Sequence, residues 1–265
     1  MKVVLFCGGL GTRLREHSDT IPKPLVNIGY RPIIWHLMRY YAHFGHKDFV
    51  LCLGYRGDLI RQYFLNYNEC MSNDFVLSAD TNKVELLTRD VQDWRITFVD
   101  TGLHANIGQR LLRARKFLYD EDSFLANYAD GLSDLPLDQH IADFHRLGVV
   151  GSFMAVRPAQ SYHGVQSDDG GIVTGFGQMR EADFLINAGF FCFRSDIFDY
   201  VSEGEELVEA PFQRLIAKRQ LGVYRYKGFW QAMDTFKDKI TFDRMEGRGE
   251  CPWMIWKRPP GGVSE

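Results

Sequence analysis

The chain has 265 residues, enough for one large domain or one domain with a small appendage. Its 45% hydrophobic and 25% charged residues are the balance of a soluble globular protein, and a formal charge of −3 argues against a partner bound through nucleic-acid phosphates. No apolar stretch approaches the roughly 20 residues that span a bilayer, glycines interrupt any signal-peptide pattern at the amino terminus, and the five scattered cysteines lack metal-ligand spacing and fit a reducing cytoplasm.

In chain order, Lys2 to Phe6 is an apolar run long enough for a buried strand, and it opens into a loop holding Gly8, Gly9 and Gly11. Residues 31–41 carry apolar side chains at helical spacing, with Pro32 near the start and Gly45 beyond the end. Asp48 to Gly54 reads as a second buried strand, and Gly57 to Tyr67 as a second amphipathic helix. Strand, helix, strand, helix is the pattern of a parallel sheet covered on both faces.

Residues of about 74–100 break that pattern with three short strand-like runs, read as a β-rich insertion. A helix through Leu111, Leu112 and Phe117 follows, then a strand over 123–128 that stops at Ala129-Asp130-Gly131. A helix over 138–147 and a strand over 151–156 come next. The glycine- and β-rich stretch 162–193 reads as antiparallel. Helices near 195–201 and 210–219, a strand at 223–226, a helix around 236–246 and an aromatic tail, Pro252 to Trp256, close the chain. The expected fold is α/β: a Rossmann-like, mainly parallel mixed sheet covered by helices. It forms a single domain over 1–265, with the insertion, a region of about 157–193 and a carboxy-terminal extension of about 236–265 as its departures.

The chemistry gathers first at the glycine loop. Glycines turn sharply and let backbone N–H groups approach a ligand. Arg13 in the loop and Lys23 between two prolines add fixed positive charge, so the segment suits a polyphosphate such as a nucleoside triphosphate. The dinucleotide fingerprint fails here, because its third glycine position is Leu14 and no acidic residue stands around 28–34. The P-loop fails as well, for lack of Gly-Lys before Ser or Thr. Asp130 ends a strand, where ligands gather in open α/β sheets. Asp234 lies in a turn-like Gln-Ala-Met-Asp-Thr.

Gly8-Gly9-Leu10-Gly11-Thr12-Arg13-Leu14 with Pro22-Lys23-Pro24 resembles the signature of the sugar-1-phosphate nucleotidyltransferases. The likeness is strongest to their glucose-1-phosphate cytidylyltransferase branch. It continues through Tyr128-Ala129-Asp130-Gly131, Asn187-Ala188-Gly189 and Gly228-Phe229-Trp230-Gln231-Ala232-Met233-Asp234. The resemblance implies attack by a sugar phosphate oxygen on the α-phosphorus of a nucleotide, with Arg13 and Lys23 as the catalytic cations. It implies a nucleotide site of Leu5, Cys7, Gly8, Gly9, Gly11 and Thr12, joined by Arg13, Lys23, Tyr128 and Asp130. Gly108 and Arg110 would meet the base, which is expected to be cytosine, with CTP favoured over GTP and the others. It places one Mg²⁺ on Asp130 and Asp234, and the acceptor against Gly131, Arg180, Asn187 and Asp234.

Two departures bear on the acceptor. Where the family carries Glu-Lys, this chain has Gln178 and Met179, with Arg180 next door. An apolar Met neutralises no phosphate, so the expected acceptor is a sugar phosphate other than glucose 1-phosphate, less polar or cyclitol-like. A homo-oligomer is expected from relatives. The alternative is a non-catalytic nucleotide-binding regulator on the same fold, against which the retention of Arg13, Lys23, Asp130 and Asp234 argues.

Overall fold

The computed structural model describes residues 1–9, 21–91, 93–158, 163–178 and 184–257. Strand β1 (Val3–Phe6) is buried throughout and forms the middle of the main sheet. It pairs in parallel with β2 (Asp48–Leu53) on one side, after helix α1 (Ile33–His43) has crossed over. Helix α2 (Gly57–Leu65) then leads to a hairpin of β3 (Phe75–Ser78) and β4 (Lys83–Leu86). The run at 94–99, grouped above with the insertion, belongs elsewhere. Residues Arg95–Asp100 form β5, a parallel edge strand of the main sheet beside β2. Its inner neighbours are covered on both faces, whereas an edge strand keeps polar positions and so reads like a hairpin arm.

Helix α3 (Ile107–Ala114) is capped by Asn106, whose side chain accepts from the Gln109 N–H while Gln109 reaches back. A 3₁₀ turn replaces its expected last turn at Arg115–Phe117. Strand β6 (Ser123–Tyr128) returns to pair in parallel with β1, opposite β2. A short strand β7 (Gly131–Ser133) and helix α4 (Leu137–Leu147) lead to β8 (Gly151–Val156).

The antiparallel character expected for 162–193 holds. Strands β9 (His163–Ser167) and β10 (Val173–Gln178) form a hairpin. Strands β11 (Ile186–Asn187) and β12 (Phe191–Arg194) run antiparallel to β8, and β12 also to β6. The helix expected near 195–201 is a five-residue 3₁₀ turn, and α5 spans Ala210–Ala217. Strand β13 (Leu221–Tyr226) pairs in parallel with the far edge of β8. Strand β14 (Trp230–Ala232) and helix α6 (Phe236–Gly247) finish the domain.

Two apolar layers sandwich the sheet. Leu5, Leu51 and Leu125 point to one, against α1, α4 and the carboxy-terminal segment; Val4, Val50 and Ala126 point to the other, against α3 and α5. This alternation along each strand is why inner strands read as unbroken apolar runs. The aromatic tail packs on its own chain. Trp253 is fully buried, and its indole N–H donates to His36 Nδ1 at 3.3 Å while the opposite ring nitrogen sits 3.1 Å from the Ile28 carbonyl. Burial pushes His36 down to about 4, which keeps the ring neutral and able to accept that bond. No described helix is long and apolar enough to cross a membrane.

Candidate active site

The carboxyl ends of β1 and β6 lie side by side, with Phe6 paired to Tyr128. Immediately beyond them a cavity of about 120 Å³ is lined by Cys7, Gly8, Gly9, Lys23, Tyr128 and Asp130, with Phe6, Pro24, Ile107 and Ala129 completing its walls. Six expected residues thus meet in one place. Gly11, Thr12, Arg13 and Arg180 lie outside the described residues, as does Met179.

Lys23 sits on a short 3₁₀ turn, Lys23–Leu25, whose neighbours Pro22 and Pro24 restrict its backbone. The turn is closed by Leu25 N–H to the Pro22 carbonyl at 2.8 Å. Its ammonium donates to Asp130 Oδ2 and, at 2.7 Å, to Asp234 Oδ1. Burial acts to lower its pKa, but the two carboxylates outweigh it and hold Lys23 above its ordinary value. Lys23 is therefore charged at neutral pH.

The two aspartates are brought together by a ladder that spacing alone does not reveal. Strands β7 and β14 pair antiparallel, with Gly131 opposite Ala232. The Met233 N–H donates to the Asp130 carbonyl at 2.8 Å, so the ladder ends with Asp130 and Asp234 adjacent. Asp234 precedes the cap of α6, where Thr235 and Asp238 form a reciprocal capping box, and the Asp234 N–H donates to Asp238 Oδ2 at 3.1 Å. Its carboxylate stays free of capping duty and turns to Lys23. Gly131 lies under the indole of Trp230, whose N–H is buried without a partner among the described residues. The sequence does not mark Trp230 as a site residue, because a tryptophan reads as core until its donor is found without a partner.

Asn187 projects beside Tyr128, its amide donating to the phenol oxygen at 3.4 Å. The turn that holds it is strained in a defined way. Gly189 and Phe190 both have positive φ, 77° and 50°. Asn187 Oδ1 accepts from the Gly189 N–H at 2.9 Å, and the buried Asn127 Oδ1 accepts from the Phe190 N–H at 3.0 Å. Asn127 escaped the sequence reading, since a single polar residue in an apolar strand carries no periodic signal.

Three expected nucleotide residues are not among those that line the cavity. Leu5 is fully buried inside β1. Gly108 backs against the Glu205 carbonyl, where any β-carbon would overlap it, so its side-chain face belongs to helix packing. Arg110 is 1% exposed. Its guanidinium donates to Thr101 Oγ1 at 2.6 Å, the Gly102 carbonyl at 3.1 Å and the Leu53 carbonyl at 3.2 Å. It lies against Gly8 and Gly54, filling the space their missing β-carbons leave. In this arrangement Arg110 supports the floor of the glycine loop from below. Burial pushes the Cys7 thiol well above its ordinary value, so Cys7 lines the cavity as an apolar group rather than a thiolate. A larger groove of about 870 Å³, between Arg113, Lys116, Tyr119 and Phe198, contains none of the expected residues.

The arrangement is a strand end at Gly8 and Gly9 whose backbone N–H groups can donate to an anion, one held cation, and two carboxylates converging on its ammonium. That set can seat a polyphosphate and a hard cation together. A family model described as nucleotidyl transferase matches residues 2–238. The chain is 36% identical to a probable glucose-1-phosphate cytidylyltransferase of Bacillus subtilis over 258 residues, covering 97% of this chain and all of that one. It is equally similar, at 36% over 260 residues and the same coverage, to a glucose-1-phosphate cytidylyltransferase of Salmonella typhi. Among solved structures it superposes on a UDP-glucose pyrophosphorylase complexed with UDP-glucose, with a TM-score of 0.68 at 16% identity over 94% of this chain and 98% of that one, a likeness of fold.

Proposed function

Because this chain belongs to the nucleotidyl transferase family, as a sugar-1-phosphate nucleotidyltransferase, we propose that it uses CTP and Mg²⁺ to activate a hexose 1-phosphate or a sugar-like cyclitol phosphate. The single observation that supports the transfer and its metal is the meeting of Lys23 with Asp130 and Asp234 beside the cavity that Gly8 and Gly9 line, while CTP rests on the likeness to the cytidylyltransferases. A regulator that merely held a nucleotide has no use for two carboxylates facing the phosphates.

The acceptor's phosphate oxygen forms a bond to the α-phosphorus of CTP, and the bond from that phosphorus to the β-phosphate oxygen breaks. Pyrophosphate leaves, and a nucleoside-diphosphate sugar remains. Such a transfer asks the protein for position and charge. Gly8 and Gly9 line the cavity, and their backbone N–H groups are the donors this reading gives to the phosphates. Lys23 supplies its ammonium to the α-phosphoryl oxygens, where negative charge builds, and Arg13 takes the leaving pyrophosphate, whose oxygens suit a forked guanidinium. Asn187, Gly131 and the Trp230 N–H form the acceptor side, with Arg180 as its cation. Asp130 and Asp234 fit Mg²⁺, since both offer hard oxygen donors to one shared point, and a small cation that keeps several waters needs no more. When bound there, Mg²⁺ would neutralise phosphate charge from both substrates.

Pyrophosphate release measured with five nucleotides against a panel of sugar and cyclitol phosphates tests this reading. CTP is expected to lead, and glucose 1-phosphate is expected not to be the best acceptor. The double substitution Gln178→Glu with Met179→Lys is expected to move preference toward glucose 1-phosphate, because polar contacts to a substrate discriminate strongly when their loss leaves groups unpaired. A wild-type efficiency with glucose 1-phosphate of roughly 10⁴ M⁻¹s⁻¹ or more, unmatched by any other acceptor, would overturn the acceptor reading.

A further inference from the structure

We propose that Lys23 sets the order in which the site fills: it occupies the shared point between Asp130 and Asp234 until a nucleotide draws it away, so that the divalent cation enters with the nucleotide and not before it. This rests on the assignment of the two aspartates as metal ligands.

All three backbones are pinned. Lys23 is held by its proline-framed turn, and the Val26 N–H donates back to its carbonyl at 3.1 Å. Asp130 and Asp234 are joined through the Met233 N–H. The two aspartates therefore stay neighbours, with the Lys23 ammonium on the point their carboxylates share. What can move is the lysine side chain, a flexible four-carbon stem ending in a compact charge. Lys23 is only 17% exposed, whereas Asp234 is 48% exposed and open to an arriving ion.

The charge arithmetic then favours exchange over coexistence. Two carboxylates with the ammonium between them sum to −1, and without it to −2. A divalent cation approaching the nucleotide-free site meets half the charge and must also displace a hydrogen-bonded partner. A triphosphate seated against Gly8 and Gly9, which line the same cavity as Lys23, offers the ammonium a new anionic partner. Lys23 leaves the carboxylates as it engages the phosphates, and the acidic pair becomes free. Nucleotide and cation are thereby coupled positively, through one side chain rather than through a change of fold.

The test is Mn²⁺ binding to the full chain in the absence of nucleotide, followed by calorimetry and by the spin-resonance signal of the free ion. Lys23→Met, which keeps length and removes charge, is expected to bind Mn²⁺ more tightly than wild type by on the order of tenfold, within the usual range of site-to-site coupling. Lys23→Arg is expected to keep the weak wild-type affinity. Adding Asp130→Asn to Lys23→Met is expected to abolish the gain, which locates it. Lys23→Gln serves in place of Lys23→Met if thermal melting shows that variant unfolded. Equal Mn²⁺ affinity in wild type and Lys23→Met overturns the proposal and leaves the metal assignment standing. A gain that survives Asp130→Asn also overturns it. Absence of Mn²⁺ binding in every variant removes the metal assignment, and the proposal with it.

Discussion

Asp130→Asn and Asp234→Asn are each expected to cut turnover by roughly 10²–10³-fold, the usual result of removing one charged group that acts on the transition state. Asparagine keeps the shape and the ladder geometry of β7 and β14 but loses the negative charge that both proposed roles need. The fold should hold, because each carboxylate is partly exposed and its visible partner is a side chain, Lys23. Each single substitution also leaves the Lys23 ammonium its other carboxylate partner. The check is a steady-state assay at saturating Mg²⁺ beside a thermal melt. Near-normal turnover in both variants would remove the two aspartates from the mechanism, and a collapsed melt would make them structural.

Lys23→Ala is expected to lower kcat by a comparable factor, roughly 10²–10³, while the KM for CTP changes much less. The reason is where charge develops. The α-phosphoryl group gains negative character as the acceptor oxygen arrives, so the ammonium interacts more strongly with the transition state than with bound CTP. Its pKa, held above the ordinary value by Asp130 and Asp234 against the opposing effect of burial, guarantees the charge at neutral pH. Separate determination of kcat and KM decides the matter. A change confined to KM would make Lys23 a ground-state phosphate contact.

Much of this site was legible because its parts announce themselves locally. A buried strand running into Gly8-Gly9 marks a strand end where ligands gather, and the prolines around Lys23 mark a fixed cation. Asp130 is legible in the same way, as the polar stop of an apolar run. Asp234 is not. Its nearness to Asp130 depends on the antiparallel pairing of Gly131 with Ala232, a long-range contact that neither segment encodes alone. Resemblance supplied it, and the ladder gives the physical reason.

The direction of Arg110 was also beyond sequence reading. A cation in the first turn of a helix normally faces solvent. Here two glycines on neighbouring strand ends, Gly8 and Gly54, leave a slot without β-carbons that the guanidinium enters from α3. Strand β5 reads as part of the insertion because edge strands lose the apolar continuity that identifies their inner neighbours, yet it pairs with β2 in the main sheet. The packing of the tail is equally beyond local reading: an aromatic run carries no sign of the surface it covers, and here Trp253 is buried in its own chain with its N–H on the neutral His36.

The central claim, transfer of a nucleotidyl group to a phosphate oxygen of the acceptor, is tested most directly by turnover in water enriched in ¹⁸O. With CTP, Mg²⁺ and the best acceptor phosphate, mass spectrometry is expected to find one nucleoside-diphosphate sugar for each pyrophosphate, with no solvent oxygen in the sugar nucleotide. Cytidine monophosphate carrying ¹⁸O, or CTP that binds and yields no sugar nucleotide with any acceptor, would contradict it.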